Sequence, residues 1–294
     1  DSIGVLENPS YRPFIDGLRR EGVLVFDPSE MLPAARRSGP QYLATDTHWR
    51  PESMELVAEL LGGFIAEHAG LPVIDDPGYK VERSEVSNTG DIARMLDLPD
   101  TRPLFPPESV WLRRILQPEG SPWASSRDAD VLVLGDSFAN VYTLESMGWG
   151  TSAGLIEQLS YTLRRRVDRL VQNDEGAFAT RAMLRRDPDR LNGKRVVVYQ
   201  FAARELAFGA VPPALHRASR EHGARVVTTE VHVEHGSAHR YVAERRRILV
   251  LVGVVLVDRI PHPEEIFLER GFLGPRHAVP IRHQADAGED DDQG

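Results

Sequence analysis

Val131-Leu132-Val133-Leu134-Gly135-Asp136-Ser137-Phe138 joins an unbroken apolar run to a turn that glycine opens. Four consecutive β-branched and aliphatic residues without polar alternation read as a strand covered on both faces, the pattern of a parallel sheet. A serine placed just beyond such a strand stands at the carboxyl edge of the sheet, where open α/β folds bind their ligands. Glycine lets the chain turn sharply there, and the amides that follow can face a developing negative charge. Gly, Asp and Ser are also ordinary turn residues. By composition such a triplet arises by chance in about one chain in ten of this length. A serine nucleophile therefore needs a base elsewhere in the sequence.

Outward from this stretch, strands and helices alternate. A helix is predicted near Gly154 to Arg165, a short strand at Val167 to Val171, a helix near Gly176 to Leu184 and a strand at Arg195 to Phe201. That alternation predicts crossover connections and a largely parallel sheet flanked by helices. Upstream, Pro9 to Arg20 reads as helix, Val23 to Phe26 as strand and Ser29 to Arg36 as a short helix. A longer helix starts at Pro51, a residue suited to the first helical position. Val57, Leu60, Leu61, Phe64, Ile65 and His68 follow at helical spacing, and Gly70 with Pro72 ends it. The segment 72–130 reads as irregular, with strand-like stretches at Tyr79 to Val86 and Val110 to Leu116 and a short helix over Asp91 to Leu96.

With 294 residues, 41% apolar and 27% charged, the chain has the composition of a globular protein with one large α/β domain and an appendage. The division read from the sequence is a main domain over 1–210, a small β-rich module over 211–284 and an acidic, disordered tail over 285–294. That tail carries Asp286, Glu289, Asp290, Asp291 and Asp292, and it accounts for much of the formal net charge of −9. Arginines are interleaved with acids and no aromatic-basic stripe accompanies them, which argues against a nucleic-acid surface. The absence of cysteine excludes disulfides, thiolate metal sites and cysteine nucleophiles. Asp1 in place of an initiating Met points to a removed leader, either a signal peptide or a membrane anchor. The longest apolar run, Ile248 to Val257, is about half a membrane span and reads as strand.

Eight of the ten histidines fall between His216 and His283. His232, His235 and His239 have a spacing reminiscent of metal ligands. They lack helical apolar support and a carboxylate at a metal-site offset, so no metal site is assigned there.

The base is sought in Asp46-Thr47-His48-Trp49, just before the Pro51 helix. Acyl transfer by serine requires an imidazole to take the hydroxyl proton and a carboxylate to hold that imidazole in the right tautomer. An Asp-x-His spacing lets the carboxylate reach Nδ1 of its near neighbour. The competing structural reading has Asp46 or Thr47 capping the helix and His48 packing beside Trp49. His48 precedes Ser137 by 89 residues, and both lie at loop ends beside regular elements, as a split triad would require.

Asp46-Thr47-His48-Trp49 followed by Gly135-Asp136-Ser137-Phe138 resembles the catalytic signature of the alginate O-acetyltransferase AlgJ/AlgX family. Thr89-Gly90-Asp91, Val167-Asp168-Arg169 and Phe201-Ala202-Ala203-Arg204-Glu205-Leu206 stand in the family's order, and the resemblance covers about residues 10–208. It implies an SGNH-hydrolase-like (flavodoxin-like) α/β domain in which the Asp-x-His block precedes the serine block. It further implies Ser137 as nucleophile, His48 as general base, Asp46 as its orienter and a structural role for Asp136. The Ser137 amide is the natural first oxyanion donor, Asn88 and Gly90 are weak candidates for a second, and Tyr142 is a weak candidate for lining the acceptor groove. No cofactor or metal is required. The resemblance implies a polysaccharide acceptor, a membrane-bound O-acyltransferase that supplies the acetyl group, and a periplasmic or cell-envelope setting. A carbohydrate acetylesterase with the same triad, and a non-catalytic polysaccharide-binding component of a secretion complex, are the alternatives.

Overall fold

The computed structural model describes residues 11–20, 22–29, 31–35, 38–97, 104–173, 176–207 and 247–253. Its centre is a five-stranded, wholly parallel sheet of β1 (Leu24–Phe26), β4 (Val131–Gly135), β5 (Asp168–Val171), β6 (Val196–Ala202) and β7 (Arg247–Gly253), in the order β1-β7-β6-β4-β5. All five residues of β4 are buried, as an apolar run in an interior parallel strand requires. Val133 pairs with Val198 on one side and Arg169 on the other.

The chain leaves β4 toward β5 but leaves β6, the neighbour on the other side, toward β7. Connections from two adjacent strands thus diverge, and a crevice opens at their carboxyl ends. Gly135 and Ala202 end these two strands, so the Asp136-Ser137-Phe138 turn stands at the switch point.

The helices are α1 (Tyr11–Arg20), α2 (Met31–Ala35), α3 (Pro51–His68), α4 (Asp91–Met95), α5 (Ser137–Asn140), α6 (Leu155–Thr162) and α7 (Gly176–Arg186). Short 3₁₀ turns cover Glu145–Met147, Pro188–Leu191 and Ala203–Ala207. In α3, Met54, Val57, Ala58, Leu61 and Ile65 form the buried stripe expected of its 3.6-residue period. Gly62 lets α3 approach α6, since a Cβ there would stand 2.6 Å from Thr162 Cγ2.

The segment read as irregular contains a long antiparallel pair of strands, β2 (Lys80–Asn88) and β3 (Glu108–Leu116), in register from Lys80↔Leu116 to Asn88↔Glu108. Strand β3 buries Val110, Leu112, Ile115 and Leu116, whereas β2 is mostly exposed. One correction concerns domain limits. The stretch assigned to a separate module over 211–284 supplies β7, which lies inside the main sheet between β1 and β6. Parallel pairing across so long a connection leaves no local sequence signal. The chain divides into units over Asp1–Val255 and Leu256–Gly294. The second unit, His232, His235, His239 and the acidic tail lie outside the described residues. Among the described residues no helix is long and apolar enough to cross a membrane.

Candidate active site

The Asp46-His48 loop is a tight turn between two backbone pairings. Leu43 N–H donates to His48 O at 3.1 Å and Arg50 N–H to Gln41 O at 2.9 Å. Glu108, on β3, accepts from Ala44 N–H at 2.8 Å and forms an ion pair with Arg50. No side chain caps α3, so neither Asp46 nor Thr47 serves as its cap. Asp46 instead faces its own neighbour: His48 Nδ1 and Asp46 Oδ1 are 2.6 Å apart, and the His48 amide donates to the same oxygen at 3.1 Å. Both side chains are buried.

The other oxygen of Asp46, Oδ2, accepts from Trp149 Nε1–H at 2.8 Å and from Asp91 N–H at 3.0 Å. Burial pushes the Asp46 carboxyl up. The hydrogen bond and charge of His48, with the Trp149 and Asp91 donors, outweigh it and hold the group below the ordinary carboxylate range. Asp91 itself secures the intervening residue, accepting from Thr47 N–H and Thr47 Oγ1, each at 2.8 Å.

Asp46, His48 and Asp91 have ligand atoms within 4.8 Å of one another, the one such grouping among the described residues. The Asp46–His48 pair is at hydrogen-bond distance and Asp91 is engaged by Thr47. The Asp46 and Asp91 carboxylates and His48 Nδ1 are thus already engaged by one another or by neighbouring donors.

The serine block is built around Asp136. Its carboxylate caps the α5 turn by accepting from Phe138 N–H at 2.9 Å, and it also accepts from Gln200 Nε2 at 2.8 Å and Ala202 N–H at 2.8 Å. Gln200 Oε1 accepts from Asp136 N–H at 3.0 Å. Asp136 thus ties the β4 turn to the end of β6. Ser137 is the first residue of α5, and its N–H has no earlier carbonyl within that turn to donate to.

The two blocks meet. The Phe138 ring packs on His48 at 4.9 Å between centroids and on Trp49 at 5.6 Å. His48 Nε2 is buried and has no hydrogen-bond partner among the described residues. Ser137 Oγ is therefore not hydrogen-bonded to it, and such contacts commonly tighten only when substrate binds. Arg204 is exposed, and its guanidinium lies 5.4 Å from the Phe138 ring centroid.

The weaker candidates are otherwise engaged. Gly90 N–H donates to Thr45 Oγ1 at 3.1 Å, so it is already committed rather than free to bind an oxyanion. Glycine is needed there for close approach: a Cβ would overlap Thr45 O and stand 2.6 Å from Asp46 Cβ. Asn88 Nδ2 donates to Met147 O at 3.4 Å, beside the turn that carries Trp149. Tyr142 is fully buried and donates to Trp49 O at 2.6 Å, which makes it a core residue beneath the site instead of a groove residue. Burial, together with the negative charges of Asp46, Glu52 and Glu108, pushes its hydroxyl well above its ordinary range.

Trp149, Asp91 and Gln200 belong to the site without standing out as site residues in the sequence. The one local signal is Gly148-Trp149-Gly150. A tryptophan between two glycines suggests a tight turn around a side chain whose N–H requires a partner when buried.

Residues 4–203 match the family described as SGNH hydrolase-like domain, acetyltransferase AlgX. A probable alginate O-acetylase AlgJ of Pseudomonas syringae pv. tomato (strain ATCC BAA-871 / DC3000) is 33% identical over 97 residues, 32% of this chain and 24% of that protein. The chain thus matches about a quarter of that relative's length. The fold is similar to the O-acetyltransferase domain of Pseudomonas putida AlgJ, with a TM-score of 0.56 and 22% identity over 71% of this chain and 70% of that one. Pseudomonas aeruginosa AlgX superposes more loosely, with a TM-score of 0.37 and 11% identity over 83% of this chain and 54% of its own. With more than half of the sequence matched and the parallel-sheet domain in place, the chain belongs to the AlgX family of SGNH-hydrolase-like acetyltransferase domains.

Proposed function

We propose that this chain is a serine-dependent O-acetyltransferase that acetylates an extracytoplasmic polysaccharide through an acetyl-serine intermediate. The observation that carries the reading is the buried Asp46–His48 pair, 2.6 Å apart through Nδ1, whose opposite nitrogen is unpartnered beside Phe138 among the described residues. An imidazole fixed at Nδ1 by a carboxylate is the tautomer whose Nε2 can accept a proton.

Ser137 Oγ attacks the acetyl carbonyl as its proton passes to His48 Nε2, and Asp46 stabilises the imidazolium that forms. The Ser137 amide donates to the developing oxyanion. Collapse of the tetrahedral intermediate breaks the bond to the leaving group, which takes the proton from His48. A sugar hydroxyl then gives its proton to His48 and attacks the acetyl-serine carbonyl. The new ester departs and Ser137 regains its proton.

An acidic acceptor, alginate or a similar exopolysaccharide, suits the exposed Arg204 guanidinium over Phe138. A membrane-bound O-acyltransferase is the proposed source of the acetyl group, and the periplasm or cell envelope the proposed setting.

The test uses 4-nitrophenyl acetate as donor with an oligomannuronate acceptor, following the acetylated product by mass. Transfer in the wild type and its loss in Ser137→Ala are expected. Full transfer by Ser137→Ala overturns the reading, and acetate release without acetylated oligosaccharide replaces it with a carbohydrate acetylesterase.

A further inference from the structure

Asp46 offers about four lone-pair positions, and four donors occupy them. Oδ1 receives His48 Nδ1–H at 2.6 Å and the His48 amide at 3.1 Å. Oδ2 receives the Trp149 indole at 2.8 Å and the Asp91 amide at 3.0 Å. Trp149 is the only side chain besides His48 in that set. It reaches Asp46 from 103 residues away in sequence.

The backbone of the loop that brings it there is unusual. Gly148 and Gly150, on either side of Trp149, have φ of +80° and +90°, in the left-handed region that side chains with a Cβ avoid. Space is also lacking at both: a Cβ on Gly148 would stand 2.5 Å from Asn88 Nδ2, and one on Gly150 would stand 2.6 Å from Leu112 Cδ1. Two special backbone positions thus turn one indole into the interior. The side chain is fully buried and donates its one N–H to Asp46.

We infer that Trp149 is a positioning residue: its indole N–H pins Asp46 Oδ2, which keeps Oδ1 on His48 Nδ1. The inference rests on the proposed roles of Asp46 and His48. Without the indole, Oδ2 keeps one backbone donor and the carboxylate gains freedom to rotate about its Cβ–Cγ bond. The imidazole then loses the fixed orientation that directs Nε2 toward the serine block. Asp91 holds the same oxygen through its backbone, so its side chain cannot substitute for Trp149; that side chain is bound to Thr47.

The test compares wild type with Trp149→Phe, which fills most of the same space and lacks the N–H. Two readouts are followed: Ser137 labelling by a fluorophosphonate probe, with turnover of 4-nitrophenyl acetate, and the His48 Nδ1–H proton resonance. Labelling and kcat are expected to fall on the order of tenfold, with KM unchanged and the His48 resonance shifted or broadened. A role in packing alone would lower the melting temperature and leave that resonance in place. A folded Trp149→Phe protein with wild-type labelling and an unmoved resonance overturns the inference. Should that variant not fold, Asp46→Asn alone decides: the Trp149 indole N–H resonance must move, and an unmoved one overturns the inference. Absence of Ser137 labelling in the wild type would instead defeat the serine mechanism, while the two resonances would still report whether Trp149 and Asp46 are coupled.

Discussion

Trp49 Nε1–H donates to the Phe138 carbonyl at 3.1 Å, joining the residue after His48 to the residue after Ser137. The Phe138 ring packs edge-on against the same indole, and Tyr142 Oη–H donates back to the Trp49 carbonyl at 2.6 Å. This contact bolts the two halves of the site together. Trp49→Phe removes the N–H and leaves a buried carbonyl unpaired, so it is expected to cost about 1–3 kcal/mol of stability. Because the bolt also sets the spacing of the two blocks, fluorophosphonate labelling of Ser137 should slow as well. Urea unfolding and labelling kinetics check the two effects, and a stable variant with unaltered labelling would assign Trp49 to neither.

Gly90 sets how closely α4 approaches the Asp46 loop. Gly90→Ala puts a methyl group into Thr45 O and against Asp46 Cβ, both of which belong to backbone-anchored groups that have no flexible end to move. Overpacking of this kind costs about 1–3 kcal/mol. The displaced loop should lower kcat for 4-nitrophenyl acetate, and thermal melts with steady-state kinetics measure both.

Much of this arrangement is legible in the amino-acid sequence. The Val131 to Leu134 run announces an interior parallel strand, and it is buried throughout. The apolar stripe from Val57 to Ile65 announces α3. Asp46 and His48 are two residues apart, so their contact follows from local reach. What is not legible depends on distant partners. The insertion of β7 between β1 and β6 is a pairing choice among strands, and apolar periodicity says nothing about strand order. Trp149 reaches Asp46 only because the Gly148–Gly150 turn folds back from a remote segment. Gly90 stands out as a glycine beside the short α4 helix, but its role is to make room for the Asp46 loop, which only neighbours in space reveal.

Arg204 supplies an exposed positive charge over Phe138. An exposed pair with a uronate carboxylate is worth up to about 1 kcal/mol, which corresponds to a roughly threefold to fivefold change in affinity. Arg204→Ala is therefore expected to raise KM for an oligomannuronate acceptor by that factor, to leave kcat alone and to weaken the salt dependence of KM. A neutral oligosaccharide should show no difference between the two proteins. Equal KM values for the acidic acceptor would remove Arg204 from acceptor recognition.

Asp168 opens β5, at the end of the strand remote from Ser137, and its carboxylate is fully buried. It accepts from Arg190 Nε at 2.9 Å and pairs with the buried Lys194 ammonium at 3.1 Å. Asp168→Asn leaves that ammonium without its counter-charge, and breaking a buried pair in this way costs about 3–5 kcal/mol. The folded fraction should still label at Ser137 at the wild-type rate. Chemical denaturation measures the cost, and a loss below about 1 kcal/mol would mean that solvent reaches the pair.

Glu157 provides a pH-dependent prediction. Burial pushes its carboxyl up, and the bonds from its own amide, Thr143 and Gly154, with the charge of Arg169, only partly offset that. Because the folded-state pKa lies above the unfolded one, the favourable contribution is full below the ordinary glutamate range and is lost as pH rises through the folded value. Glu157→Gln removes the titration while leaving an oxygen to accept from Thr143 Oγ1, which donates to the native carboxylate at 2.8 Å. The melting temperature of the variant relative to wild type should therefore climb as pH rises above the ordinary glutamate range, by about 2–4 °C for each kcal/mol involved. Differential scanning calorimetry across that window measures the slope. A difference that is flat, or that falls as pH rises, would show that the buried carboxylate is stabilised by its partners as well as it would be by water.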